Sequence, residues 1–269
     1  MKRKIASICR YVFLSITAIL SAFPIYWMIV SATNDNPHIL SGSLMPGTHF
    51  IDNLNALVKA QSVSVALRNS FMNAIVLTLL SLVICSLAGY GFEVFHSKGK
   101  DILMNILLMA MMVPFAATMI PLFRMFAKMN LISSLLAVVL PAVSTPFLIM
   151  MFRQSARSFP SDIIEAARLE GVSEIGIFFK FFIPTMRSTY ASAMTITFMN
   201  AWNNYLWPRV ILLDGKHDTM PMLTANLTSG YVTQYGVLML AVFISTIPTI
   251  VIFLVLQKSF TNGIAGAVK

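Results

Sequence analysis

The stretch Glu165-Ala166-Ala167-Arg168-Leu169-Glu170-Gly171 lies within the most highly charged interior segment of the chain, Arg153 to Ser188. Long apolar runs flank that segment on both sides. Of the 269 residues, 57% are apolar and 11% charged, whereas a soluble domain carries about 25% charge. Too few polar groups remain to cover a surface in water. The chain therefore reads as all-α and polytopic, with its spans facing lipid, and no strand-like alternation is long enough to suggest a barrel. A charged, structured island among spans is either a loop that holds a partner or an amphipathic loop resting on the lipid surface. The residues alone leave both open.

The island has its own helix–turn–helix pattern. Ser158-Phe159-Pro160-Ser161-Asp162 is a helix start, with Asp162 and Glu165 spaced as a capping box or Ser161 as the cap. Gly171 stands where a left-handed C-terminal cap is wanted, and Ser173 with Glu174 opens a second helix. In that helix Ile175, Phe178, Phe179 and Phe182 recur at helical spacing, so one face is expected against the membrane spans, and Pro184 closes it before Arg187. Ala166 and Ala167 would let a partner backbone approach closely, while Glu165 and Glu170 offer it charge.

Six spans are expected around the island. Lys2, Arg3, Lys4 and Arg10 precede an apolar run from Tyr11 to Ala32. Val30-Ser31-Ala32 resembles a signal cleavage site, but the run exceeds the roughly 7–15 residues of a signal core and suits a retained span. Residues 33–68 hold Asn34-Asp35-Asn36-Pro37, Gly42 and Pro46-Gly47, and read as a loop with one short helix near Leu54 to Ala60. The later spans are expected at about Asn69–Phe92, Ile102–Leu122, Leu131–Phe152, Tyr190–Leu213 and Tyr235–Leu256, with a tail over 257–269.

Six spans place both termini on one side. Thirteen of the 19 Lys and Arg fall on that side, and only Lys59, Arg68, Arg124, Lys128, Arg209 and Lys216 on the other. The excess places the termini and the island in the cytoplasm. The net charge of +9 is thus a topology signal, and nucleic acid has no place as a partner. Cys9, Cys85 and the four histidines lack the spacing of a metal or disulfide site.

Asn200, Trp202, Asn203, Asn204 and Tyr205 crowd the fifth span, followed by Trp207. Amides in an apolar helix face a bundle interior or a cavity. They either line a path for a solute with apolar faces and hydroxyls, or bond neighbouring helices while the tryptophans form an interfacial belt. Glu93, ending the second span, reads as a snorkelling or loop-contacting group.

Glu165-Ala166-Ala167, Gly171 and then Phe181-Phe182-Ile183-Pro184 resemble the EAA loop of permease subunits in binding-protein-dependent ABC importers. Phe23-Pro24-Ile25-Tyr26-Trp27-Met28, Phe152-Arg153-Gln154 and Trp202-Asn203-Asn204-Tyr205-Leu206-Trp207-Pro208 are similar to the carbohydrate-uptake branch. The ending Gly263-Ile264-Ala265-Gly266-Ala267-Val268-Lys269 is similar to its MalG-like subunit. Glu170, Phe181 and Ser188 depart from the commoner residues of the motif.

The resemblance implies a type I ABC importer permease fold with six transmembrane helices. Residues 69–256 would form the permease core and 153–188 its cytoplasmic EAA loop. It implies that Glu165, Ala166, Ala167, Glu170, Gly171 and Pro184 couple the spans to an ATPase. The implied partners are a second homologous permease, two ATPase subunits, an extracytoplasmic sugar-binding protein and membrane lipid. No GxxxxGK[ST] stretch occurs, so the chain is not read as an enzyme, and ATP and Mg belong to the ATPase. A permease for another solute class stays open. An ion-coupled carrier fits poorly, because the spans lack paired carboxylates and an inverted half-repeat, and no catalytic pattern supports a membrane enzyme.

Overall fold

The computed structural model describes residues 2–60, 62–230 and 232–266. Of the expected tail, Ala267-Val268-Lys269 lies outside the described residues. In chain order the helices are α1 (Lys2–Ala32), α2 (Asn36–Leu40), α3 (Phe50–Ala60), α4 (Val63–Val94), α5 (Lys98–Ala110), α6 (Phe115–Lys128) and α7 (Leu135–Val139). There follow α8 (Pro146–Arg157), α9 (Ser161–Leu169), α10 (Glu174–Ile177), α11 (Ile183–Thr185), α12 (Arg187–Trp202), α13 (Leu206–Ile211), α14 (Met220–Leu227) and α15 (Tyr235–Gly266). Two compact units divide the chain, Met1–Ser64 with Met222–Ile247, and Val65–Pro221 with Pro248–Lys269.

In the first unit, asparagines organise the segment after α1. The Asn34 amide is buried and donates to the carbonyls of Val30 at 3.0 Å and Met45 at 2.9 Å. Asn53 on α3 donates to Ala32 and Asn34 carbonyls, both at 3.0 Å. Asn36 donates to Thr233 O and accepts from Tyr235 N–H, each at 2.8 Å, which caps the start of α15. Asp35 accepts from His38 N–H and caps α2. The run expected as turn formers is therefore a set of caps and staples. It supports two helices, α2 and α3, where one short helix near 54–60 was expected. On α1, Ile19 is 69% and Leu20 67% exposed, an apolar surface suited to lipid.

In the second unit several of the expected spans are bent or interrupted. Among the described residues, α1, α4 and α15 alone hold single runs long and apolar enough to cross a membrane. The expected third span is α5 and α6 with a 98° bend between them, and the fourth is Leu135–Ala142 followed by α8 with a 50° bend. The fifth stops at Trp202 and resumes as the short α13. Proline accounts for the first two breaks, because it disfavours helical geometry in the residue before it. At the third, Pro208 in the first turn of α13 lacks the N–H that would continue the ladder to residue 204. Pro114 stands extended ahead of α6, Pro146 opens α8 with Thr145 as its cap, and Pro208 lies one turn beyond the break at residues 203–205.

Helices α4 and α8 cross closely at Gly89. A Cβ there would lie 2.6 Å from Phe152 Cβ, 2.7 Å from Arg153 N and 2.8 Å from Ile149 O. Leu82, Cys85, Met104, Leu148, Ile149, Phe152 and Ala193 form the core around this crossing. Gly89→Ala should therefore destabilise by about 1–3 kcal/mol, because backbone must shift to admit the methyl. Gly91→Ala, with nothing within 4 Å of its Cβ, should be neutral or slightly stabilising. Thermal unfolding of the detergent-solubilised protein compares the two.

Candidate functional site

Helices α9 to α11 build a knob on one aromatic base. Helix α9 begins at Ser161 behind an extended Pro160 and has no side-chain cap, so the expected capping box is not formed. Proline already lacks the N–H that such a box would satisfy, and Asp162 lies in the first turn, where it complements the helix dipole. At the other end Gly171 has φ +75°, and its N–H donates to Arg168 O at 3.0 Å while Val172 N–H donates to Ala167 O at 2.9 Å. This is a Schellman closure, and it reverses the chain in three residues. Ser173 then caps α10 by accepting from Gly176 N–H at 3.2 Å.

Between α10 and α11, residues Phe178–Phe182 form a π-helical turn, closed by Ile183 N–H on Phe178 O. Such a turn changes which side chains share a face. Phe178 and Phe182 stack with centroids 5.5 Å apart, and both meet the Tyr90 ring edge-on at 5.4 and 5.0 Å. Ile164, Ala167, Ile177 and Met186 complete this core. The face expected from simple helical spacing is therefore corrected, since Ile175 and Phe179 are exposed.

The expected coupling residues divide accordingly. Glu165, Ala166, Glu170, Gly171 and Pro184 lie on the outside, and Leu169 between them is 90% exposed. Ala167 is buried against the knob's own core, so it serves packing and is not open to a partner backbone. Arg168 donates to Glu174 at 2.6 Å across the glycine turn. A cleft of about 310 Å³ beside α9 carries charge of both signs, from Glu93, Arg157, Glu165 and Arg168.

A charge network at the knob's base was missed in the sequence. Arg153, only 3% exposed, donates to Glu93 at 3.0 Å and also to Asp101, tying α8 to α4 and α5. Arg157 reaches the same Glu93 at 3.2 Å, and His96 reaches Asp101 at 2.9 Å. The only advance signal was that two carboxylates and two arginines all fell next to span ends.

The crowded fifth-span residues separate as well. Asn200 and Asn204 line a cavity of about 340 Å³, together with Thr145, Phe147 and Thr197. Trp202 instead is buried, stacked 5.8 Å from Phe198 and edge-on to Phe71 at 4.8 Å. The Asn203 amide folds back onto Met199 O at 2.9 Å, and Tyr205 is exposed outside the cavity lining. Trp207, expected in an interfacial belt, is buried and donates to Ala137 O at 2.8 Å. Thr197 was not singled out, because a threonine in an apolar helix carries no sequence signal of its own.

The whole chain is similar to the lactose transport system permease protein of Rhizobium radiobacter, at 39% identity over 100% of this chain and 98% of the relative. It is 31% identical to the arabinooligosaccharides transport system permease protein of Halalkalibacterium halodurans, over 100% of both chains. Its fold matches a chain of a bacterial ABC transporter involved in the import of the acidic polysaccharide alginate. The TM-score is 0.81 at 20% identity, over 97% of this chain and 98% of that one. Residues 81–266, which hold the knob, its charged base and most of the cavity lining, match the sequence profile of one family. The chain belongs to that family, the inner membrane components of binding-protein-dependent transport systems.

Proposed function

We propose that this chain is one membrane-spanning subunit of an ATP-driven sugar importer, and that residues 161–185 are the element through which an ATPase moves it. The observation that carries this reading is the division of the knob. Its apolar side is sealed against Tyr90, while Glu165, Ala166, Leu169 and Glu170 stand outward on a helix anchored beside a buried arginine. An apolar side chain exposed as far as Leu169, ringed by charge, suits an interface with another protein. Its rigid base suits the transfer of motion, because the knob cannot shift without dragging α4 and α8.

Sugar as the solute is supported by full-length likeness to permeases of lactose and arabinooligosaccharide systems. The assembly pairs this chain with a second, homologous permease, two ATPase copies and an extracytoplasmic sugar-binding protein. Both termini and the knob face the cytoplasm, a sidedness that rests on the excess of basic residues there. ATP and Mg act on the ATPase, and this subunit binds no cofactor of its own.

Membrane vesicles holding the complete importer should accumulate labelled lactose or arabinobiose only when ATP is supplied. Uptake driven by an ion gradient without ATP would contradict the reading. Gly171→Pro fixes φ near −65° where the turn needs +75°, and should abolish uptake while the subunit still inserts. Gly171→Asn tolerates the left-handed turn and should keep most of it. Arg153→Met leaves Glu93 and Asp101 without their shared cation and should lower the thermal midpoint by several degrees. Arg157, which is half exposed, should cost under about 1 kcal/mol when changed to Met.

A further inference from the structure

We propose that this subunit carries its own carbohydrate subsite, the cavity lined by Thr145, Phe147, Thr197, Asn200 and Asn204, and that it selects an uncharged hydroxylated ring. The proposal rests on the sugar-import reading above and names the part of this chain that touches the sugar.

Three interruptions of the expected spans meet at one cavity. Met111 comes from the break between α5 and α6, Ala142 and Thr145 from the break before α8, and Asn204 from the break after α12. Unwound backbone at membrane depth is tolerated where it is buried in protein or lines a polar cavity, and carriers build midplane substrate sites from such discontinuous helices. The breaks before α8 and after α12 thus deliver polar groups, Thr145 and Asn204, to the place where the first break delivers Met111.

The side chains there are unspent. Thr197 and Asn200 lie three residues apart on one face of α12, and Asn204 joins them from the break that follows it. Thr197 is 6% exposed, and its hydroxyl has no hydrogen-bond partner. A buried polar group in that state calls for an explanation, and a ligand hydroxyl reached from the cavity would supply one. Neither the Asn200 nor the Asn204 side chain has a hydrogen-bond partner among the described residues, so each offers a donor and an acceptor. Phe147, with Leu77 and Ile196, supplies the apolar wall that suits the C–H face of a sugar ring.

Among the described residues, no ionisable side chain lines the cavity. A uronate or a sugar phosphate would lose water there without gaining a countercharge, whereas a neutral sugar exchanges hydroxyl–water bonds for hydroxyl–amide ones. The volume of about 340 Å³ lies at the small end of ligand sites, roughly 300–1,000 Å³. It suits one or two rings of a sugar.

The test is a cycle between a substrate hydroxyl and Thr197, run on the complete importer in proteoliposomes with lactose, arabinobiose and their monodeoxy analogues. Discrimination by the binding protein is the same for wild type and variant, so it cancels in the cycle. For at least one analogue, wild type should transport about tenfold more slowly than with the parent sugar. That penalty should vanish in Thr197→Val, persist in Thr197→Ser and be unaffected by Asn203→Ala. Equal penalties in wild type and Thr197→Val for every analogue would overturn the subsite. So would complexes of Thr197→Val and Asn204→Leu that fall apart while their intact fraction keeps wild-type selectivity, because the groups would then serve the second permease. Failure of wild type to carry any of these sugars with ATP would instead remove the sugar reading on which the subsite rests.

Discussion

Hydrocarbon offers no water to a broken helix, and that constraint arranges most of this molecule. A backbone carbonyl or amide freed by proline within a span must find a partner in the protein or a polar cavity. The breaks after α5, before α8 and after α12 answer it by converging around one cavity. Outside the spans the same logic acts on charge. Arg153 is buried among apolar helices and is held there only because Glu93 and Asp101 close on it from two other elements.

These two arrangements are joined through α8. Its first turn, behind Thr145 and Pro146, forms part of the cavity wall, and its last turn carries Arg153 and Arg157 into the charged base of the knob. Its middle crosses α4 at Gly89 with no room for a side chain. In the proposed coupling, displacement of the knob would reach the cavity along the roughly three turns of α8, which residues 158–160 join to α9.

Much of the knob was legible in the sequence, because its determinants are local. Gly171 announced a left-handed turn and Ser173 a cap, and each depends on backbone chemistry within a few residues. What was not legible depends on the third dimension. Strict helical spacing put Phe179 and Ile175 on the buried side, but a π-helical turn ahead of Pro184 rotated the register. Ala167 read as open to a partner, yet only the packing of α9 against Tyr90 and Phe182 could reveal that it faces inward. Continuous apolar runs concealed the breaks, since hydropathy sees length while proline acts on geometry. Asn200 and Asn204 stood out as amides in a span, whereas Thr197 became visible only once its hydroxyl was found buried without a partner.

On the proposed reading the knob meets an ATPase and does not simply rest on lipid. Leu169 is the residue to ask, since it is 90% exposed at the apex between α9 and the glycine turn. A photoreactive amino acid placed at position 169 in the intact importer, irradiated in its native membrane, reports what lies against it. A covalent product with the ATPase subunit is expected, changed in yield when the ATPase is trapped in its closed, nucleotide-bound state. Adducts with lipid alone, at equal yield in both states, would contradict it.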